Sequence, residues 1–269
     1  MEYKCQLVVM STQRSGSTLV CDDLEGTGVL GKPSEYYISL LKRWREDEEM
    51  SLKDIRSHIA SRGGSANGVV AVKVMSSHMP AIDRMYRDAG SKLCGHEMFP
   101  CFFSEMRSAH ILRVSRRDRV AQAVSRIMAA RTQVYHSVEK RGQLKSMLGS
   151  HVSTQKERNE AFEYDESEII DQIFRVAEEE ERLDNCLSNH GQFITTIFYE
   201  DLIEDRTYLE HIGRALGINA ITPRPRRLRK VAGEESDRWI RRFKAAYPQY
   251  ELGSSTRQSQ GNLGQSNKA

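Results

Sequence analysis

Residues 7–18, Leu-Val-Val-Met-Ser-Thr-Gln-Arg-Ser-Gly-Ser-Thr, organise the rest of the chain. The four apolar residues that open this stretch are typical of a short buried strand, because valine favours the pleated conformation. From Ser17 onward apolar residues recur at helical spacing, which predicts a strand, a small-residue turn and a helix. Gly16 permits close backbone approach, and Ser17 or Thr18 can cap the helix. With the N–H groups of the helix start and the guanidinium of Arg14, the stretch predicts a cradle for phosphate or sulfate.

This turn differs from the P-loop of nucleoside triphosphatases, which has a leading glycine and a Gly-Lys-Ser/Thr triplet. The string Gln13-Arg14-Ser15-Gly16-Ser17-Thr18-Leu19 instead resembles the 5′-phosphosulfate-binding loop of sulfotransferases that depend on PAPS, 3′-phosphoadenosine 5′-phosphosulfate. Two later blocks, Thr27-Gly28-Val29 and Gly31-Lys32-Pro33-Ser34-Glu35-Tyr36-Tyr37, are similar to the bacterial trehalose 2-sulfotransferase branch of these enzymes. The resemblance covers most of residues 5–247.

The resemblance implies a donor site assembled from separate segments. The residues that it places on the 5′-phosphosulfate are Arg14, Ser15, Gly16, Ser17 and Thr18. Arg116 and Ser125 match the family positions that hold the 3′-phosphate, although nine helical residues alone would separate them by roughly 13 Å. In many relatives a basic segment ahead of a Trp-containing helix closes over that phosphate, which here corresponds to Arg229-Lys230 ahead of Trp239. As a lone basic run, 224–230 is otherwise most simply a solvated loop.

Glu35 is the candidate general base, because an acceptor hydroxyl must lose its proton as its oxygen bonds to sulfur, and the family places its proton acceptor at this glutamate. His78 is the competing candidate, since many other sulfotransferases use a histidine near the second strand. Arg14 is predicted to stabilise charge on the bridging oxygen as the product PAP, 3′-phosphoadenosine 5′-phosphate, departs. The remaining residues predicted to contact the acceptor or the sulfonate are Gln13, Pro33, Tyr36, Tyr37 and Lys73.

Composition limits the class of protein. The chain has 269 residues, 39% of them hydrophobic, and a net charge of +3, which is too small to argue for nucleic-acid binding. Five cysteines without a Cys-x-x-Cys pair do not indicate a disulfide framework. His96-Glu97 and the Cys94/Cys101 pair are poor metal ligand sets, so no metal is expected. We find no segment typical of a membrane span or signal peptide, and expect a cytoplasmic protein.

Strands alternate with helices along the chain, which predicts an α/β fold with a parallel sheet flanked by helices, the three-layer arrangement of sulfotransferases with a P-loop-like strand–loop–helix. Strands are predicted at 6–10, 68–74, 109–114 and 193–198. We expect one domain over residues 1–252 and a disordered tail over 253–269. Residues 134–165 show no clear pattern. Glu178 to Glu181 are most simply a solvated helix face, and Tyr199-Glu200-Asp201-Leu202 is expected to tie the fourth strand to a neighbouring helix.

The sequence therefore predicts a PAPS-dependent sulfotransferase that acts on a hydroxyl of a carbohydrate or glycolipid, with no metal. Family members form dimers, so a homodimer is expected. Two other classes stay open. A small-molecule kinase would place phosphates on the same loop but needs a Mg²⁺-holding carboxylate, which the sequence does not identify. A non-catalytic nucleotide- or RNA-binding protein is suggested by the basic run, but the expected aromatic stacking platform is missing.

Overall fold

The computed structural model describes residues 6–95, 98–132, 162–188, 193–219, 221–227 and 233–250. The predicted tail 253–269 and most of the segment 134–165 lie outside these ranges. Across the described ranges, no helix is both long and apolar enough to cross a lipid bilayer.

A parallel sheet forms the centre of the fold. Its strands, in chain order, are β1 (Leu7–Ser11), β2 (Ala71–Met75), β3 (His110–Ser115) and β4 (Ile194–Phe198). The spatial order is β2-β1-β3-β4, and every neighbouring pair is parallel. Every residue of β1 is buried. Because all the strands run the same way, the residues that follow them meet at one edge of the sheet, where α/β proteins bind ligands.

Helices cover both faces of this sheet. They are α1 (Ser17–Gly26), α2 (Tyr37–Arg45), α3 (Leu52–Gly63), α4 (Met79–Asp88), α5 (Pro100–Glu105), α6 (Arg119–Thr132), α7 (Glu166–Ser188), α8 (Tyr199–Glu204), α9 (Tyr208–Ala215) and α10 (Glu234–Ala246). Val8 and Met10 of β1 belong to the core shared with α2 to α5, whereas Leu7 and Val9 belong to the core shared with α1, α8 and α9. A third apolar cluster joins α6, α7 and α10. The predicted three-layer α/β fold is confirmed.

Local signals explain most of the boundaries. Helix α3 begins directly after Ser51, because Ser51 and Asp54 form a reciprocal capping box. Strand β2 begins at Ala71 rather than at the predicted Gly68, because Gly68 has a φ of +86° and closes a turn back to Ser65. Helices α5 and α8 have six residues each, too few to show a helical period in the sequence.

Candidate active site

The predicted anion loop lies between β1 and α1, at the carboxyl edge of the sheet. Gly16, with a φ of +94°, is the N-cap of α1, and no described side chain caps this helix start. The prediction that Ser17 or Thr18 caps the helix is therefore wrong, because a glycine in the left-handed region takes that place. The first N–H groups of a helix have no acceptor within it. This leaves the start of α1 suited to an anion.

Gly16 is required by a close approach that the sequence did not predict. A Cβ on Gly16 would lie 2.4 Å from Cδ2 of Tyr199, the first residue of α8. The guanidinium carbon of Arg116 stacks over the same ring, 4.7 Å from its centroid. Tyr199 therefore packs between the anion loop and the arginine at the end of β3.

Arg14 and Ser125 meet, although they lie 111 positions apart in the sequence. The Nε of Arg14 donates to the hydroxyl of Ser125 at 2.9 Å. Arg14 has a φ of +63°, a left-handed conformation that is uncommon for residues other than glycine. The fold thus brings a residue of α6 to the anion loop.

Arg116 is largely buried, with 16% of its side chain exposed. Its Nε is buried and has no hydrogen-bond partner among the described residues, while Glu200 lies 3.9 Å away. Buried donors in folded proteins are nearly always paired. An anion bound beside the Tyr199 ring would satisfy this donor, so the site fits a phosphate group.

Glu35 is placed beside the anion loop by Lys73, a buried residue of β2. The Nζ of Lys73 lies 2.9 Å from a carboxylate oxygen of Glu35 and donates to the hydroxyl of Thr18 at 3.2 Å. The Glu35 side chain is 29% exposed. The structure therefore brings the candidate base, a lysine and the first turn of α1 into direct contact, and leaves the side chain of Glu35 partly exposed.

The block that carries Glu35 is anchored by close packing on either side. Gly31 has a φ of +78°, and a Cβ there would lie 2.6 Å from Cβ of Ala71. The hydroxyl of Tyr36 lies within hydrogen-bond distance of the carbonyl oxygens of Lys32 and Arg62, at 2.5 and 3.0 Å, and donates its one proton between them. Burial raises the pKa of Tyr36 to about 12, so this phenol stays a donor at neutral pH.

Two of the predicted acceptor contacts need correction. Tyr37 is 1% exposed, and its hydroxyl pairs with that of Tyr86 at 2.8 Å inside the core, so it has no face for a sugar. Pro33 is buried as well. Of the other predicted acceptor residues, Gln13 is exposed on the anion loop and Tyr36 is partly buried.

The motif at 199–202 binds the segment between β3 and α6. Asp201 accepts two hydrogen bonds from the guanidinium of Arg117, at 2.5 and 2.7 Å. The carboxylate of Glu200 accepts the backbone N–H groups of Arg117 and Asp118 at 3.0 and 3.1 Å. These bonds fix the end of β3, and with it the approach of Arg116 to the site.

Two charged segments differ from their predicted solvated states. In the acidic run, Glu180 is 3% exposed and contacts Thr12 of the anion loop.

In the basic run, arginines pair with α1: Arg224 donates to Asp22 at 2.9 Å and Arg226 to Asp23 at 2.7 Å. Both aspartates are buried, so these ion pairs attach the segment 224–227 to the helix that starts at the anion loop. Their acidic partners were not recognised from the sequence.

The remaining predicted residues lie outside the described ranges or in the turn that follows β2. Arg229 and Lys230 lie outside the described residues, as do His96 and Glu97. His78 is partly buried in the short 3₁₀ turn Ser76–His78 after β2. Among the described residues, no group of three His, Cys, Asp or Glu side chains is arranged to hold a metal ion.

A cavity of about 490 Å³ lies at the opposite edge of the sheet. Its lining includes Val70 and Ser108, which precede β2 and β3, and side chains of α3 and α5. Because the strands are parallel, this cavity is separated by the sheet from the cluster at the carboxyl edge.

Comparison with known proteins agrees with this arrangement. A curated relative, trehalose 2-sulfotransferase of Mycolicibacterium smegmatis, is 27% identical over 161 residues, which cover 50% of this chain and 60% of the relative. The chain thus spans less than two thirds of that relative's length. A sequence model of the Stf0 sulphotransferase family matches residues 6–246, which include every element from β1 to α10. The chain belongs to the Stf0 sulphotransferase family.

Proposed function

We propose that this protein transfers the sulfonyl group of PAPS to a hydroxyl of a carbohydrate or glycolipid, with Glu35 as the general base. One observation carries the proposal: Lys73 contacts both Glu35, at 2.9 Å, and Thr18, at 3.2 Å. A partly exposed carboxylate therefore lies beside a helix N-terminus suited to the sulfonyl donor. An acceptor that reaches Glu35 is held close to that N-terminus, as transfer requires.

The donor would be held by groups on three segments. We assign the 5′-phosphosulfate to the backbone of residues 15–18 and to Arg14, and the 3′-phosphate to Arg116 and Ser125. The unpaired Nε of Arg116 supports the assignment of the 3′-phosphate. Arginine suits both groups, because its planar fork of donors matches the oxygens of phosphate and sulfate.

PAPS supplies an activated sulfonyl group whose bond to the phosphate oxygen breaks as the new bond to the acceptor oxygen forms. Glu35 accepts the proton of the acceptor hydroxyl. Lys73 orients this carboxylate and brings a positive charge to the place where the sulfonyl group transfers. Arg14 and the first turn of α1 stabilise the negative charge that develops on the bridging oxygen. This scheme uses no metal.

The acceptor class is proposed from the sugar substrate named for the relative and from the position of Glu35. On α2, after Tyr37, the sequence departs from the family pattern: Arg43 pairs with Glu48, and the indole of Trp44 donates to Asp88 at 3.0 Å. We therefore propose a sugar hydroxyl in general and treat trehalose as one member of the test panel. A homodimer stays a prediction, to be checked by light scattering.

The test is transfer of labelled sulfonate from PAPS to a panel of sugars and glycolipids in the presence of EDTA, by the wild type, Glu35→Gln and Glu46→Gln. Glu35→Gln keeps the shape but cannot accept the proton, so turnover should fall about 10²–10⁴-fold with little change in PAP affinity. Glu46 is a matched control, because its carboxylate is exposed and its contact with Lys42 of α2 is long, at 4.0 Å. Glu46→Gln should therefore leave turnover unchanged.

The outcome would contradict the base assignment if Glu35→Gln kept most of its turnover while His78→Ala lost it. Phosphate transfer from ATP with Mg²⁺, without sulfonate transfer, would instead identify a kinase. Binding of PAP without transfer to any acceptor would favour a binding protein.

A further inference from the structure

Glu180 lies within the acidic run of α7, yet its side chain is almost fully buried. Its carboxylate accepts hydrogen bonds from the hydroxyl of Thr12 at 2.5 Å, from the hydroxyl of Ser115 at 2.7 Å and from Arg113 at 2.8 Å. Arg119 adds a fourth contact at 3.3 Å. A buried carboxylate with this many donors is well compensated.

These partners lie at the carboxyl ends of the two central strands. Thr12 directly follows β1 and opens the anion loop, whereas Ser115 is the last residue of β3, next to Arg116. One carboxylate therefore fixes both strand ends to α7. These contacts lie in the protein interior, because Thr12 and Glu180 are both buried.

A second set of contacts holds the next residue of the loop. The side-chain amide of Gln122 donates to the hydroxyl of Thr12 at 2.9 Å and to the carbonyl of Gln13 at 2.8 Å. Arg126 donates to the same carbonyl at 3.3 Å and pairs with Glu179 at 2.6 Å. The backbone immediately before Arg14 is thus held by α6, and α6 is held by α7.

Arg14 needs such support, because its φ of +63° is unfavourable for a residue with a Cβ. Conformations of this kind persist where the surroundings impose them. The side chain of Arg14 reaches Ser125 from that backbone conformation. If the loop relaxed toward an ordinary φ, Arg14 would be redirected away from Ser125.

We infer that Glu180 is a positioning residue: through Thr12, and together with Gln122 and Arg126, it holds the anion loop in the conformation that binds the donor. The inference rests on the proposed function for the identity of that donor. Glu180 touches no reacting group, so its substitution changes the site through the loop.

The test compares Glu180→Gln with Glu181→Gln, a control that removes an exposed carboxylate from the next position of the same helix. PAP affinity is measured by calorimetry at a temperature where urea unfolding shows both variants to be folded. In Glu180→Gln we expect PAP affinity to fall tenfold or more and Glu181→Gln to match the wild type. Equal PAP affinity in a folded Glu180→Gln variant would overturn the inference.

Amide hydrogen exchange gives a readout that needs no nucleotide. Leu19 and Val20 donate to the carbonyl of Gly16 at 2.9 and 3.3 Å, so their exchange reports on the anchored end of the loop. In Glu180→Gln we expect amide exchange at Leu19 and Val20 to accelerate tenfold or more relative to exchange at Val72 in β2. An unchanged ratio of these exchange rates would refute a positioning role. If Glu180→Gln does not fold, Thr12→Val removes the loop's own bond while leaving the ion pairs, and the same two outcomes apply. If the wild type does not bind PAP, the proposed function fails, but the exchange result still tests Glu180.

Discussion

Replacing Gly16 with alanine tests whether the backbone of the anion loop belongs to the donor site. The new Cβ would lie 2.4 Å from Cδ2 of Tyr199 and 3.3 Å from its Cγ. Restoring a normal carbon–carbon contact of about 3.5 Å requires the ring to move by roughly 1 Å. Because Arg116 stacks on that ring, the substitution also displaces the guanidinium assigned to the 3′-phosphate.

The expected effect of Gly16→Ala has two parts, one on stability and one on PAP affinity, which can be measured separately. The φ of +94° is a left-handed conformation, which costs a residue with a Cβ about 1–2 kcal/mol. Loss of a charge-assisted contact with a phosphate costs about 1.5–3 kcal/mol, or about tenfold to a hundredfold in affinity. Gly16→Ala should therefore lower both the free energy of unfolding and PAP affinity.

Gly28→Ala is the matched control, because Gly28 also has a positive φ, +72°, but no described atom lies within 4 Å of the position that its Cβ would take. It should incur the backbone strain alone and bind PAP as the wild type does. Urea unfolding and titration calorimetry measure the two effects. If Gly16→Ala bound PAP as tightly as Gly28→Ala, Gly16 would be a structural turn only, and the donor-site geometry would be wrong.

Three further predictions concern the rest of the fold. Burial raises the pKa of Cys21 and Cys186 to about 12, so iodoacetamide at pH 8 should modify the partly buried Cys94 before either; early modification of Cys21 or Cys186, seen by mass spectrometry, would contradict their burial. Burial opposes the charge of Asp22, but hydrogen bonds from two arginines hold its pKa below the ordinary 3.8. The stability that the Asp22 carboxylate contributes at neutral pH is therefore lost as pH falls below about 4. The difference in unfolding free energy between the wild type and Asp22→Asn should shrink over that pH range. Ser51→Ala should cost about 1 kcal/mol in urea unfolding through loss of the capping box, and an unchanged midpoint would refute that role.

The sheet and the anion loop could be predicted from the sequence because their signals are local. Short apolar runs followed by helical periods suffice to place strands β1 to β4, and Ser51 with Asp54 suffices to place the start of α3. The contact between Arg14 and Ser125 was not predicted, since no local rule brings a loop to the middle of α6.

Two of the errors, at Glu180 and Tyr37, share a physical cause, which is that composition does not say which side of a helix faces inward. The run 178–181 is typical of a solvated face, yet Glu180 lies between Val176 and Leu183 on the buried stripe of α7, and that spacing was the available signal. Tyr37 likewise shares the stripe of α2 with Leu40, which indicates a core residue rather than a sugar contact. Partners such as Asp22 for the basic segment depend on tertiary structure alone.

The central claim is that the carboxyl edge of the sheet binds PAP without a metal, and calorimetry in EDTA tests it most directly. The wild type should bind PAP more tightly than adenosine 5′-phosphosulfate, which lacks the 3′-phosphate, and Arg116→Ala should lose about tenfold or more for PAP while affinity for adenosine 5′-phosphosulfate changes little. No PAP binding by the wild type in EDTA, or equal losses for both nucleotides in Arg116→Ala, would contradict the account.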